Sequence, residues 1–336
     1  MERSNMKEKI KSIIPKRLLD YYGNVKKSSD ASLYMDDLRR FMKHSAMFKE
    51  DTPEKLKAKI LLRTHTIEKA FSLPNTKDSF GKDAMLQLLA LLETYERMKL
   101  SRTDPIYKSA MSAINEYVKH HSRRNSPDEL IIKKLRGLRF SPSDECIIRK
   151  IPKTEYIKSA QSSFADFAQS RCSIRDYSTT TVRINQLRKA LRIANKYPSV
   201  CNRQCARVHI IENKAIMKEI LTMQNGNRGF GHLADKLLVI TSDLSCFYDL
   251  KERNQAYIDG GLYSMNLLFS LHHIGLGACP LNWFATKKQD RKIRQIAHIP
   301  DNETIIMLIT VGHLKDEVKV VSSGRRNIND ITRIVK

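Results

Sequence analysis

Two arginines flank a serine in Arg171-Cys172-Ser173-Ile174-Arg175-Asp176-Tyr177, just ahead of the turn Ser178-Thr179-Thr180. A guanidinium forks onto phosphate or a polarised carbonyl. Arginines at i and i+4 at a helix end, with a hydroxyl between them, can therefore converge on an anion, although the same residues also suit a merely solvated helix end. A second cluster, Pro198-Ser199-Val200-Cys201-Asn202-Arg203-Gln204-Cys205, is a polar loop leading into an apolar run. Asn202 and Gln204 can each offer a donor and an acceptor to the edge of a heterocycle; the alternative is an ordinary Asn-containing turn. In Gly275-Leu276-Gly277-Ala278-Cys279-Pro280-Leu281-Asn282-Trp283-Phe284, small residues would let a planar ligand approach the backbone, and Trp283 and Phe284 could wall it in. A helix C-cap feeding a core strand fits that segment nearly as well. Val311-Gly312-His313, followed by Ser322-Ser323-Gly324-Arg325-Arg326, gives a second place to hold a phosphate.

The elements that must position these residues differ between the two halves of the 336-residue chain. At roughly 100–200 residues per domain, that length suits one large domain or two modest ones. Residues 1–150 read as helices and little else, with apolar residues at three- and four-residue spacing over Asp30–Phe48, Pro53–Phe71, Lys82–Lys99 and Pro105–His121. Thr52 before Pro53 and Asp104 before Pro105 are N-caps with proline at the first helical position. Ser141-Pro142-Ser143-Asp144 marks the turn near which the halves divide. Beyond it, Lys153–Ser170 and Asn185–Tyr197 still read as helices. β-Branched, apolar runs then appear at Ala206–Ile211, Lys236–Thr241 and Thr304–Val311, with a long apolar helix, Gln255–His273, before the last. Strands that are mixed with helices and far apart in sequence predict an α+β sandwich on an antiparallel or mixed sheet over 151–336, with an all-helical region added in front.

Composition narrows the class. Hydrophobic residues make up 41% and charged residues 29%, which suits a soluble protein with a real core. No stretch approaches the roughly 20 apolar residues of a membrane helix, and the N-terminus lacks the apolar core of a secretory signal. The expected address is the cytoplasm, and the six scattered cysteines are expected to be free, mostly buried thiols. The net charge of +24 invites a polyanion reading, but residues 1–150 carry 32 Lys/Arg against 20 Asp/Glu and residues 151–336 carry 28 against 16. So even a spread excludes a dedicated basic tail and points to no specific nucleic acid.

In order and spacing, the four clusters together resemble the nitroreductase family of flavoenzymes over roughly residues 160–330. The matching text is R-x-S-x-R at Arg171–Arg175, P-S-x-x-N-x-Q from Pro198, an apolar helix ending G-L-G-x-x-P at Pro280, and I-P before a final strand and basic residues. The resemblance implies non-covalent FMN, NAD(P)H as electron donor, a small organic acceptor and a homodimer whose interface contributes to both sites. It implies that Arg171, Ser173 and Arg175, with Cys172 among them, contact the FMN phosphate, ribityl chain and pyrimidine edge. Asn202 and Gln204 would meet the ring or the ribityl hydroxyls, and Pro280, Leu281, Asn282 and Trp283 would lie against the flavin near N5. Arg325 and Arg326 would close on the phosphate. No side-chain nucleophile or metal is required, because the cofactor carries the chemistry and the protein positions and tunes it.

Two departures bear on the substrate. Gln204 is followed by Cys205-Ala206 where the family pattern continues Q-P-W, and Asn282-Trp283 stand where many members have an acidic residue and glycine. Those departures keep open flavin-dependent oxidation or modification of a polysaccharide-pathway intermediate, and the net charge of +24 keeps open a non-catalytic basic scaffold. In the helical half, His65-Thr66-Ile67-Glu68-Lys69 places His and Glu on one helix face. An H-x-I-E-K helix ahead of such a domain resembles a group tied to bacterial surface-polysaccharide biosynthesis; a solvent-facing histidine is the plainer alternative.

Overall fold

A computed structural model of the chain describes residues 34–35, 38, 52–123, 129–138, 146–247 and 249–335. The helix expected over Asp30–Phe48 lies outside them apart from the helical Tyr34, Met35 and Leu38, and the turn at Ser141–Asp144 lies outside them altogether. From residue 52 on, the described part of the first half holds α1 (Pro53–Phe71), α2 (Lys82–Arg97), α3 (Pro105–Ser122) and α4 (Glu129–Gly137). Both proline starts are capped as expected, Thr52 Oγ1 accepting from Lys55 N at 3.3 Å and Asp104 Oδ1 from Ile106 N at 2.8 Å. Leu56, Ile60, Ile67 and Phe71 make a stripe along α1 that is buried against Leu88, Leu92, Ala110 and Ile114 of α2 and α3.

The second half is a three-layer sandwich on a four-stranded antiparallel sheet in the order β2-β3-β5-β4, comprising β2 (Ala206–Ile211), β3 (Lys236–Asp243), β4 (Gly277–Asn282) and β5 (Glu303–Gly312). The central β3 is covered on both faces, and its alternate residues feed two different cores. Leu238 and Ile240 pack with Leu267 and Leu271 of α9 (Gln255–His273) and Leu187 of α7 (Ile184–Ala194). Leu237 and Val239 pack with Met217 and Ile220 of α8 (Lys214–Met223) and Ile293 of α10 (Lys287–Ile296). Outside this sheet, β1 (Ile148–Pro152) pairs antiparallel with β6 (Glu317–Val321), tying the start of the second half to its end.

Two local expectations are corrected. Lys153–Ser170 is two helices, α5 (Lys153–Ser159) and α6 (Phe164–Ser170), separated by a turn where Ser163 caps α6. Arg171–Tyr177 is extended rather than a helix end, and Ile174 N donates to Ala278 O of β4 at 3.0 Å. The six cysteines are free, but only Cys172, Cys205 and Cys279 are buried; Cys146 and Cys201 are exposed. No helix among the described residues is long and apolar enough to cross a membrane.

Gly312, at the end of β5, is where the extended segment meets the sheet. A Cβ there would come within 2.6 Å of Tyr177 Cδ1, and the buried Tyr177 donates its hydroxyl to Ile174 O at 2.7 Å. Gly312→Ala is therefore expected to cost about 1–3 kcal/mol through overpacking. Gly261→Ala on α9, with nothing within 4 Å of the added Cβ, should instead be neutral or slightly stabilising. Urea unfolding of the two variants tests this, and equal midpoints would remove the proposed close approach.

Candidate functional site

The extended backbone, not a helical turn, brings the motif together. Side chains alternate across an extended chain, so Arg171, Ser173 and Arg175 share a side while the fully buried Ile174 points into the core. They line a cavity of about 250 Å³ with Cys172 and Pro280, Ser322, Ser323 and Arg325 from the C-terminal segment, Arg149 of β1, Gln169 of α6, and His65 of α1. Six of the expected positions thus meet in one place: Arg171, Cys172, Ser173, Arg175, Pro280 and Arg325.

The charge there is one-sided. Among the described residues, none of Arg149, Arg171, Arg175 and Arg325 forms an ion pair with a carboxylate, although they share one small cavity. Arg175 is the most constrained, being only 7% exposed and stacked 6.0 Å from the ring centroid of the buried Phe230. Its Nε is buried with no hydrogen-bond partner among the described residues, and so is Ser322 Oγ in the same wall. Buried guanidinium and hydroxyl groups without partners are costly, and an anion with several acceptor oxygens answers both. Beside them, Lys69 of α1 donates to Gly226 O and lies 5.6 Å from the Phe230 ring. Burial, and then the neighbouring Arg175 and Arg228, pulls its ammonium below the ordinary lysine value, with Cys279 pulling the other way. Burial pushes the Cys172 thiol up to about 11, so it stands in the cavity as a neutral group and not as a nucleophile.

The other expected residues lie elsewhere. Asn202 and Gln204 are exposed in the loop before β2, where Cys201, Asn202 and Gln204 all adopt left-handed backbone, at φ 50°, 55° and 51°. Outside glycine such conformations cost on the order of 1 kcal/mol or more each and cluster at functional sites. The loop hangs from α9, since Val200 N donates to the buried Asp259 Oδ2 at 3.1 Å. Leu281 is buried in the core. Asn282 is exposed, with its backbone carbonyl accepting from Gln224 Nε2 at 2.9 Å. Trp283 packs on the same core and donates from Nε1 to Asp290 Oδ1 of α10 at 3.0 Å, so its ring is pinned away from the cavity. Arg326 pairs with Glu54 at the start of α1 and does not line the cavity. Gln224 and Arg228 also line a second cavity of about 650 Å³, with Lys214, Met217, Leu221 and His232.

Sequence reasoning missed Arg149, Gln169 and Arg228. Arg149 reaches the cavity only because β1 pairs with β6, a contact for which neither short strand carries a periodic signal. His65 was legible as part of a motif, but its place in this wall depends on how α1 docks.

Residues 168–313 match the family model described as the nitroreductase family. A protein of Archaeoglobus fulgidus described as an NADH dehydrogenase/NAD(P)H nitroreductase is 24% identical over 153 residues, covering 44% of this chain and 83% of that one. Among solved structures, a nitroreductase family protein of Streptococcus pneumoniae is similar at 18% identity and TM-score 0.46, over 52% of this chain and 100% of that one. A Desulfovibrio desulfuricans nitroreductase in complex with FMN is similar at 19% identity and TM-score 0.45, over 52% and 98% of the two chains.

The motif's first arginine also perturbs a buried histidine. His272, at the end of α9, sits edge-on to Tyr156 with centroids 4.6 Å apart and shares a 2.9 Å hydrogen bond with Ser170 Oγ. Burial, then Arg171 and then His273, lowers its pKa to about 4. The folded state keeps this ring neutral down to that pH, whereas the unfolded chain takes up a proton from about 6.5 downward. Below pH 6.5 the unfolded state binds more protons, so His272 is expected to make stability fall as pH drops from about 6.5 towards 4. His272→Phe should flatten that part of the stability–pH curve, and an unchanged slope by chemical denaturation would discard the assignment.

Proposed function

We propose, on the match of residues 168–313 to the nitroreductase family model, that this chain is an FMN-dependent oxidoreductase that passes hydride from NAD(P)H, through flavin N5, to a small organic acceptor. The observation that carries the reading is a cavity whose arginines pair with no carboxylate among the described residues and whose buried Arg175 Nε has no partner among them either. Its volume of about 250 Å³ falls below that of cavities holding whole ligands, roughly 300–1,000 Å³, and suits the phosphate-bearing end of FMN. When bound, FMN supplies the hydride chemistry. Arg171, Ser173 and Arg325 would hold its phosphate and ribityl end, and Arg175 would present a fixed positive charge to the pyrimidine edge, where reduction accumulates negative charge. The backbone from Pro280 to Trp283 would support the ring. The larger cavity, joined to Asn282 through Gln224, is the proposed acceptor site, and Arg228 and His232 in its wall favour an acidic or phosphorylated acceptor. The H-x-I-E-K helix makes sugar-linked intermediates of surface-polysaccharide pathways the first acceptors to try, in a cytoplasmic setting that supplies NAD(P)H.

A homodimer follows from the same reading. Ile258, Leu262 and Met265 form an exposed apolar stripe along α9 at helical spacing. A second copy packed on that stripe would bring its Asn202–Gln204 loop, hung from its own α9, towards this site. Such a role accounts for two residues that share the family pattern yet stand apart from the cavity.

The full-length protein is expected to purify yellow, or to take up added FMN, and to be reduced by NADH or NADPH in stopped-flow mixing. Arg175→Ala should weaken FMN binding about 10- to 100-fold, the scale of one or two charge-assisted hydrogen bonds. A colourless chain that ignores added FMN would overturn the reading. Bound flavin that neither nucleotide reduces would move the function to oxidation of another intermediate. Leu262→Arg is expected to shift the species seen in sedimentation from dimer to monomer, and a wild-type monomer would remove the dimer.

A further inference from the structure

Helix α1 lies outside the family-matched segment, yet it supplies His65 to the wall of the arginine cavity. The helix is fixed there at both ends. Near its start, Glu54 pairs with Arg326 of the C-terminal tail. Near its end, Lys69 donates to Gly226 O, and the following Leu73 packs so closely on Gly229 that a Cβ there would sit 2.9 Å from Leu73 Cδ1. The tail is also packed against α3, since a Cβ on Gly324 would lie 3.3 Å from Ser109. With tail and loop holding it in this way, α1 is a wall of the cavity and not a swinging flap.

His65 is placed with a carboxylate behind it. Its Nδ1 lies 3.8 Å from Glu68 Oε2, and the Glu68 side chain is 5% exposed while that of His65 is 49% exposed. Ser109 Oγ of α3 reaches the other Glu68 oxygen at 3.4 Å, so the carboxylate is tethered from a second helix. With one ring nitrogen turned to a buried acid, the other is left to the cavity, with no partner among the described residues. A protonated imidazole so placed can turn one N–H towards the acid and present its other N–H to an anionic ligand.

We propose that His65, held in orientation by Glu68, is a phosphate-binding residue of the flavin site, so that the helical half forms part of the cofactor site itself. The inference rests on the flavin reading and goes beyond it, because it assigns a ligand contact to a region that the family match does not cover. His65 adds a donor to the cavity that Arg171 and Arg325 also line, and it acts on the phosphate alone. Riboflavin, which lacks that phosphate, should not sense it.

The test is a fluorescence-quenching titration of the full-length apoprotein with FMN and with riboflavin. His65→Gln is expected to weaken FMN binding about tenfold and to leave riboflavin binding unchanged. His65→Lys, which restores a cationic donor, should recover most of the loss. Glu68→Gln should reproduce part of it, again for FMN alone. Unaltered riboflavin affinity in each variant shows that the site is folded. Wild-type binding of FMN with the same affinity in His65→Gln would overturn this inference while leaving the flavin reading intact. An equal loss for FMN and riboflavin would overturn it as well, since the effect would then be structural. Failure of the wild-type chain to bind FMN at all would overturn both.

Discussion

The second half of this protein is organised around the burial of one guanidinium. Arg175 has only 7% of its surface exposed, lies against the ring of Phe230, and shares its surroundings with Lys69 and Arg228. No carboxylate among the described residues pairs with any of the three. Burying Arg175 beside the half-buried Lys69 is costly before any ligand is considered, whereas Arg228 is exposed to solvent. The surrounding fold has to hold that arrangement against its own electrostatics. It does so with the most tightly packed parts of the domain: Ile174, fully buried on one side of Arg175, Tyr177 bonded to Ile174 O and Thr310 on the other, and the Gly312 backbone against the Tyr177 ring. A charged residue is thus flanked by packing that leaves it little freedom to turn out into solvent.

Much of this could be read in the sequence, because local signals and tertiary demands agree through most of the chain. α1 and α9 occupy Pro53–Phe71 and Gln255–His273, the spans their apolar spacing predicts, since proline starts, caps and glycine stops act over only a few residues. β2, β3 and β5 were visible as β-branched runs because burial on both faces of a central sheet leaves no room for polar alternation. The R-x-S-x-R motif was recognised with the wrong geometry. Helical spacing was inferred from a preceding helical pattern, but α6 stops at Ser170 and the three residues converge through the two-residue period of extended chain. Either period brings Arg171 and Arg175 to one side, so the anion site survived the error.

What could not be read depended on distance along the chain. β1 and β6 pair residues 148–152 with residues 317–321, and only that pairing brings Arg149 to Arg171. Each strand is five residues long, Ile-Arg-Lys-Ile-Pro and Glu-Val-Lys-Val-Val, too short for a period to stand out from chance. The same holds for His65. Its motif was visible, but its role turns on three contacts of α1 with segments more than 150 residues away, at Gly226, Gly229 and Arg326. Trp283 shows the opposite failure. Its position in the motif suggested a residue covering the flavin, whereas a single hydrogen bond to Asp290 draws it into the core, so that the argument for an unusual acceptor must rest on the second cavity instead.

Three departures from local good practice bear on the proposed ligand and partner, and they concern different surfaces. Arg175 and Ser322 keep buried polar atoms without partners in the cavity wall. Cys201, Asn202 and Gln204 hold left-handed backbone within four residues, where asparagine alone among them tolerates it well. Ile258, Leu262 and Met265 expose an apolar stripe on the helix that also anchors that loop through Asp259. Folding of one chain rewards none of these, and departures of this kind concentrate where a second molecule offsets their cost. FMN in the cavity, through its phosphate and the edge of its ring, answers the first. A second copy across α9 answers the third, and because the strained loop is tied to α9 by a buried carboxylate, the contact that covers the stripe also decides where the loop points. On the proposed reading, cofactor binding and dimerisation are therefore not separate properties of this chain. The helix that would form the interface also sets the strained loop and, through its last turn at His272, touches the residues on which Arg171 begins.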